Sequence, residues 1–196
     1  MPFVFKRLAL FMSITAALAA DKDQAFHAPA AASMAHRQTV GQVTIGVETY
    51  VAGDKVRAAF GKLMPYDYGV LPVLVVIQND SHETIRLDRM NAEYVGPHGS
   101  RVTATPSGEV RYAHPTQRPD LGAAPPLPIP IKKKNPLAAP EIEGRALGAQ
   151  MVAPGLAASG FLYFETQLQN GATIYLSGLT EARSGKELFY FEIPVE

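Results

Sequence analysis

Val70-Leu71-Pro72-Val73-Leu74-Val75-Val76-Ile77 runs directly into Gln78-Asn79-Asp80-Ser81-His82. The first eight residues are apolar throughout and rich in β-branched side chains. The run is too short for a comfortable helix, so it reads as a central strand buried on both faces. Pro72 stands near its entry, where a missing backbone N–H is tolerated. The five polar residues after it read as a turn, because Asn, Asp and Ser bond to their own backbone in such positions. Thr84-Ile85-Arg86-Leu87-Asp88 then alternates polar and apolar, as an antiparallel partner returning along the first strand would.

Outward from this centre the same pattern repeats. Upstream, Val43, Ile45 and Val47 fall at period two and mark a strand over 42–47 with one buried face. Between it and the central strand, Val56, Ala59, Phe60 and Leu63 form one apolar stripe on a short helix over 54–63, with Asp54 placed to cap its first turn. Downstream, Met90 to Val95 is a further strand, closed by Gly96-Pro97-His98-Gly99, and Arg101 to Thr105 is a weaker one. Three strands follow late in the chain: 160–165, 172–176 and 186–193. Gln169-Asn170-Gly171 joins the first two, and Asn-Gly is the strongest short hairpin signal. These late strands carry aromatics on both faces, as expected if one face packs on a core and the other on a long loop or a partner.

The chain changes character between these blocks. Nine of the 16 prolines lie within 115–154, centred on Pro125-Pro126-Leu127-Pro128-Ile129-Pro130-Ile131-Lys132-Lys133-Lys134. Alternating prolines favour an extended path and deny a sheet its N–H donors. Residues 113–156 therefore read as a long proline-rich insertion, a length that is either functional or disordered. Seven or eight short strands, one short helix and one insertion make an all-β, antiparallel β-sandwich. Two features, the apolar strand running into Gln78-Asn79-Asp80-Ser81 and the closing aromatic strands, resemble the immunoglobulin-like domains of exported bacterial envelope proteins. The resemblance covers residues 41–196, is one of architecture, and implies no activity.

The N-terminus supplies a compartment. Lys6 and Arg7 precede an apolar run from Leu8 to Ala20, which ends in Ala17-Leu18-Ala19 and turns polar at Asp21-Lys22-Asp23. That is the order of a cleavable secretory signal over residues 1–20, and the run is shorter than a spanning helix needs. Residues 21–40, rich in Ala with no sustained period, read as a disordered tether, and 41–196 as the sandwich domain. The expected product is periplasmic or secreted, with no transmembrane segment after cleavage. The chain has no cysteine, which excludes disulfides, thiolate metal sites, cysteine nucleophiles and lipid attachment at a lipobox. Without Lys6 and Arg7, 16 basic residues face 18 acidic ones, a net charge of −2 with no electrostatic footprint for nucleic acid.

Candidate sites are few. Tyr66-Asp67-Tyr68-Gly69 places two tyrosines around an acid just before the central strand; Tyr66 and Tyr68 could line a binding edge or cover the sandwich end. Lys132, Lys133 and Lys134, on a stiff proline segment, could dock a partner edge or an anionic envelope surface. His82, His98 and His114 lie in expected turns or loops, and a metal-handling or hydrolytic alternative would need them to converge at one end of the sandwich. No serine sits in a Gly-x-Ser-x-Gly elbow, and no phosphate-cradling glycine pattern is present. Glu141 and Glu143 lie in the insertion, where nothing in the sequence holds two carboxylates at fixed separation. The expectation is a non-enzymatic binding or assembly accessory protein without a cofactor, whose partner is another envelope protein.

Overall fold

The computed structural model describes residues 26–113 and 135–195. The expected signal peptide, residues 21–25 of the expected tether, and residues 114–134, which contain Lys132, Lys133, Lys134 and His114, lie outside the described residues. Among the described residues eleven strands form three antiparallel sheets: β1 (His36–Val40), β2 (Val43–Thr49), β3 (Leu71–Asn79), β4 (Ile85–Arg86), β5 (Asn91–Val95), β6 (Arg101–Thr103), β7 (Met151–Val152), β8 (Ala157–Phe164), β9 (Ala172–Ser177), β10 (Thr180–Glu181) and β11 (Phe191–Val195). The sandwich packs β1-β2-β3-β8 against β11-β9-β5-β6, and the small sheet β10-β4-β7 stands beside them. This is the all-β antiparallel architecture expected from strand count and spacing.

The central strand behaves as its composition dictates. Leu71, Val73, Val75 and Ile77 point into the core between the two larger sheets, with Val43, Ile45 and Val47 of β2 and Ile174, Leu176, Phe191 and Ile193 of the facing sheet. Leu74 and Val76 point the other way, into a second core. Pro72 is the second residue of β3 and lies opposite Tyr163 of β8.

The second core covers the outside of the first sheet, and it corrects one expectation. Residues 26–40 are not a disordered tether. His36–Val40 pairs with β2 in register His36↔Val47, and Ala31 and Met34 ahead of it are buried. The physical reason is a notch: Gly46 has no side chain, and Met34 and the Ala31 carbonyl fill the space that a Cβ there would need. The insertion is likewise ordered where it is described. Residues 136–138 form a 3-10 turn and Pro140–Gly144 a short helix; Leu137 of the turn and Ile142 of the helix join Phe161 and Tyr163 in the second core. The Tyr163 hydroxyl donates to the Ile142 carbonyl at 2.8 Å. The two outward aromatics of β8 therefore face the long loop, as their sequence pattern implied. The expected helix is shorter than its apolar stripe, Asp54–Phe60, with Val56, Ala59 and Phe60 buried. Asp54 does not cap it: Gly53, at φ 84°, is the entry residue, and Asp54 lies in the first turn facing Arg57.

Pairing departs from chain order in two places. The 84–88 segment does not return along β3. Its Ile85–Arg86 pairs with β10 and β7, while β3 is flanked by β2 and β8. Gln169-Asn170-Gly171 does not close a hairpin either, because β8 and β9 belong to different sheets. The connection instead crosses the open end of the sandwich. Tyr94 and Tyr66 hold it there: the Gln169 N–H donates to the Tyr94 hydroxyl at 2.8 Å and the Leu168 N–H to the Tyr66 hydroxyl at 3.1 Å.

Asn79 closes the other end. Read locally as a turn residue, it is the last residue of β3 and fully buried. Its amide group donates to the carbonyls of Glu83 (2.8 Å) and Val152 (2.9 Å). Its oxygen accepts from the Ser81 N–H (3.0 Å) and the Ser81 hydroxyl (2.6 Å). Both donors and both lone pairs are used, so burial is compensated. The side chain ties the end of β3 to the turn before β4 and to β7.

Candidate functional site

The two sheets differ in what covers them. The first is sealed by the second core, whereas among the described residues no second core covers the outer face of β11-β9-β5-β6. Alternation in β9 buries Ala172, Ile174 and Leu176 and turns Thr173, Tyr175 and Ser177 outward. The register places Glu192 of β11 and Glu93 of β5 on either side of Tyr175, in one cross-strand row. Ahead of β11 the chain leaves the sheet. The strand expected over 186–193 is confined to Phe191–Val195, because Leu188 turns inward and its N–H bonds the Leu179 carbonyl at 2.8 Å. Phe189 and Tyr190 are thereby pushed out, at 78% and 52% exposure.

These side chains form one surface. The Tyr190 ring stacks on Tyr175 at 5.3 Å between centroids with a 27° interplanar angle. The Arg101 guanidinium lies over the Tyr175 ring, 5.3 Å from its centroid, and donates to Glu93 Oε2 at 2.6 Å. Beside the stack is a shallow cleft of about 290 Å³ lined by Ser177, Glu187, Phe189 and Tyr190 among others. Glu187 Oε1 accepts from the Gly178 N–H at 3.2 Å. Among the described residues no cation is ion-paired with Glu187 or Glu192. A surface of this kind can hold a flat or cationic group against the rings and accept hydrogen bonds at its rim.

The expected site residues fare differently. Tyr66 spends its hydroxyl on the Leu168 amide and its ring on the sandwich core, so it covers the sandwich end rather than lining a binding edge. Tyr68 is 40% exposed and lines a groove of about 570 Å³ with Lys62, Met64, Asp67, Asn135 and Glu141. The structure does not bring the described histidines together. His82 follows Asn79 at one end of β3. His98 sits in the β5–β6 hairpin, where a Cβ on Gly96 would touch Gln169, at the end where β8 leaves for β9. A nine-residue strand separates the two ends, which removes the convergence that the metal alternative needs. Among the described residues no group of three or more His, Asp or Glu is placed to hold a metal ion.

A larger cleft of about 590 Å³, lined by His36, Glu48, Tyr50 and Lys55 among others, lies where β2 ends. His36 stands opposite Val47, which points into the sandwich core, whereas Glu48 and Tyr50 are on the other face of the sheet. They make no acid–base pair with it. Tyr50 is buried, and desolvation together with the charge of the Glu48 carboxylate pushes its hydroxyl up to about 12. Lys55 pairs with the same carboxylate.

The Phe189–Tyr190 surface was open to sequence reading through one signal. Leu188-Phe189-Tyr190-Phe191 puts four large apolar residues in a row, and a strand with one covered face cannot bury consecutive side chains. No family model matches the sequence, and no curated protein matches it. Among solved structures, the chain is similar to the candidate lipoprotein ycdA of Bacillus subtilis at 14% identity and a TM-score of 0.40. The match covers 81% of this chain and 38% of that one, so this chain spans well under half of that structure. A likeness of that size bears on neither activity nor partner.

Proposed function

We propose that this protein is an exported, non-enzymatic binding domain of the bacterial envelope, built on an immunoglobulin-like sandwich. Its contact surface is the outer face of the second sheet. One observation carries the reading: Phe189 and Tyr190 stand 78% and 52% exposed beside Tyr175, while the matching face of the other sheet is sealed by the chain's own residues. Exposed contiguous aromatics at this level mark interaction surfaces more often than idle ones. Lys132 to Lys134 remain in the proposal as a second contact, because a stiff basic segment would add local attraction to an acidic partner.

The test is site-specific photo-crosslinking in intact envelopes, with the crosslinker at position 189, at position 133, and at exposed Arg57 as a control. A discrete adduct from position 189 and none from position 57 is the expected result. Adducts from position 133 alone would move the contact to the proline-rich segment and overturn the face assignment. Absence of adducts at all three would overturn the binding reading.

A further inference from the structure

We infer that the Tyr175–Tyr190 face recognises a basic segment of a partner protein, through an arginine or lysine side chain laid on the rings. This rests on the binding reading above and names its chemistry. The face already contains one worked instance of that recognition. Arg101 sits over Tyr175 within the roughly 6 Å reach of a cation–π contact, and Glu93 fixes its guanidinium from the side. The same pairing of ring and carboxylate occurs a second time. Tyr190 stacks on Tyr175, Glu187 lines the cleft beside it, and Glu192 stands across from Tyr175 in the same cross-strand row as Glu93. The chain's own arginine serves the first pair. Among the described residues no cation is ion-paired within the second.

Charge selects the occupant. Glu93, Glu187 and Glu192 outnumber Arg101, so an anionic headgroup or an acidic peptide would meet repulsion. A cation gains from the ring faces and the carboxylates together. The cleft is shallow, so the incoming side chain stays partly hydrated, and the contact weakens as salt screens it. Phe189, the most exposed ring on the face, offers apolar cover for the aliphatic stem of that side chain.

The experiment uses the purified protein and three pentapeptides, Gly-X-Gly-X-Gly with X as Arg, Gln or Glu, titrated while the ring resonances of Tyr175 and Tyr190 are followed by NMR. The Arg peptide should shift both rings, and the Glu peptide neither. The double variant Glu187→Gln/Glu192→Gln should weaken the Arg peptide about tenfold. Both glutamates are exposed, so an unchanged melting temperature would confirm that the variant is folded. Equal binding of the Arg and Gln peptides, or unchanged affinity in the double variant, overturns the inference. So does binding of a neutral oligosaccharide at the same rings with the Arg peptide silent. An adduct from position 189 in envelopes, with a silent Arg peptide, would sink the cationic chemistry and leave the binding reading standing.

Discussion

Replacing Asn79 by Ala removes a side chain whose four hydrogen bonds join three segments. The Val152 carbonyl loses this donor in a buried position, and the Glu83 carbonyl loses one of two, because the Ser81 hydroxyl also donates to it at 3.1 Å. A typical bond is worth about 1 kcal/mol net, and a stranded buried group costs about 1–3 kcal/mol. The Val152 carbonyl lies deepest, whereas Glu83 and Ser81 keep their bond to each other, so the sum is about 3 kcal/mol. For a domain of this size that lowers the melting temperature by about 6–12 °C. The chain has no tryptophan, so urea unfolding followed by tyrosine fluorescence is the assay. Asn79→Asp sharpens the test. It keeps the shape but turns an acceptor toward the two carbonyls that had received N–H groups, so at neutral pH it should cost more than Ala. Burial raises that carboxyl above its unfolded value of about 3.9, so the native state holds the proton more tightly. The stability of this variant should therefore fall as pH rises above about 4. A loss under about 1 kcal/mol for the Ala variant, or an Asp variant no worse than Ala at pH 7, would refute the view that this network holds the sandwich end.

Three further outcomes follow from other contacts. Tyr50, at about 12 against an ordinary 10, holds its proton more tightly when folded, so alkaline stability should decline as pH rises from about 10 toward 12. Tyr50→Phe should flatten that part of the curve in pH-dependent urea melts. A Cβ on Gly160 would lie 2.4 Å from Leu147 Cα and 2.5 Å from Leu147 N, which is backbone. Gly160→Ala should therefore cost about 3 kcal/mol or more, read by thermal melting, and should speed hydrogen exchange at the Phe161 amide, which now bonds the Arg145 carbonyl. Tyr66→Phe and Tyr94→Phe should each cost about 1 kcal/mol, with faster exchange confined to the Leu168 and Gln169 amides respectively.

Composition and local period were enough to place several elements. An unbroken apolar run announces β3 as buried on both sides, because no polar residue is available to face water. Period-two alternation marks the inward side of β2, β5 and β9, and the stripe over 56–63 marks the helix. The consecutive apolar residues Leu188 to Phe191 carry a signal for an exposed pair, which the strand reading of 186–193 passed over. What the sequence left open depends on distance along the chain. Asn79 reads as a turn residue because its polarity is local, while the Val152 carbonyl that makes its burial tolerable is 73 positions away. Gln169-Asn170-Gly171 carries a hairpin signal, yet β8 and β9 enter different sheets because each gains more by burying its inward residues against a remote strand. Residues 26–40 look unstructured for want of a period, and they order because 36–40 pairs with β2 and Gly46 leaves a notch for Met34. The histidines could converge or diverge on paper; the length of β3 set His82 and His98 at opposite ends. Above all, only the tertiary structure decided which sheet face is sealed and which is open. That depends on where the N-terminal segment and the insertion land, and residue order does not encode it locally.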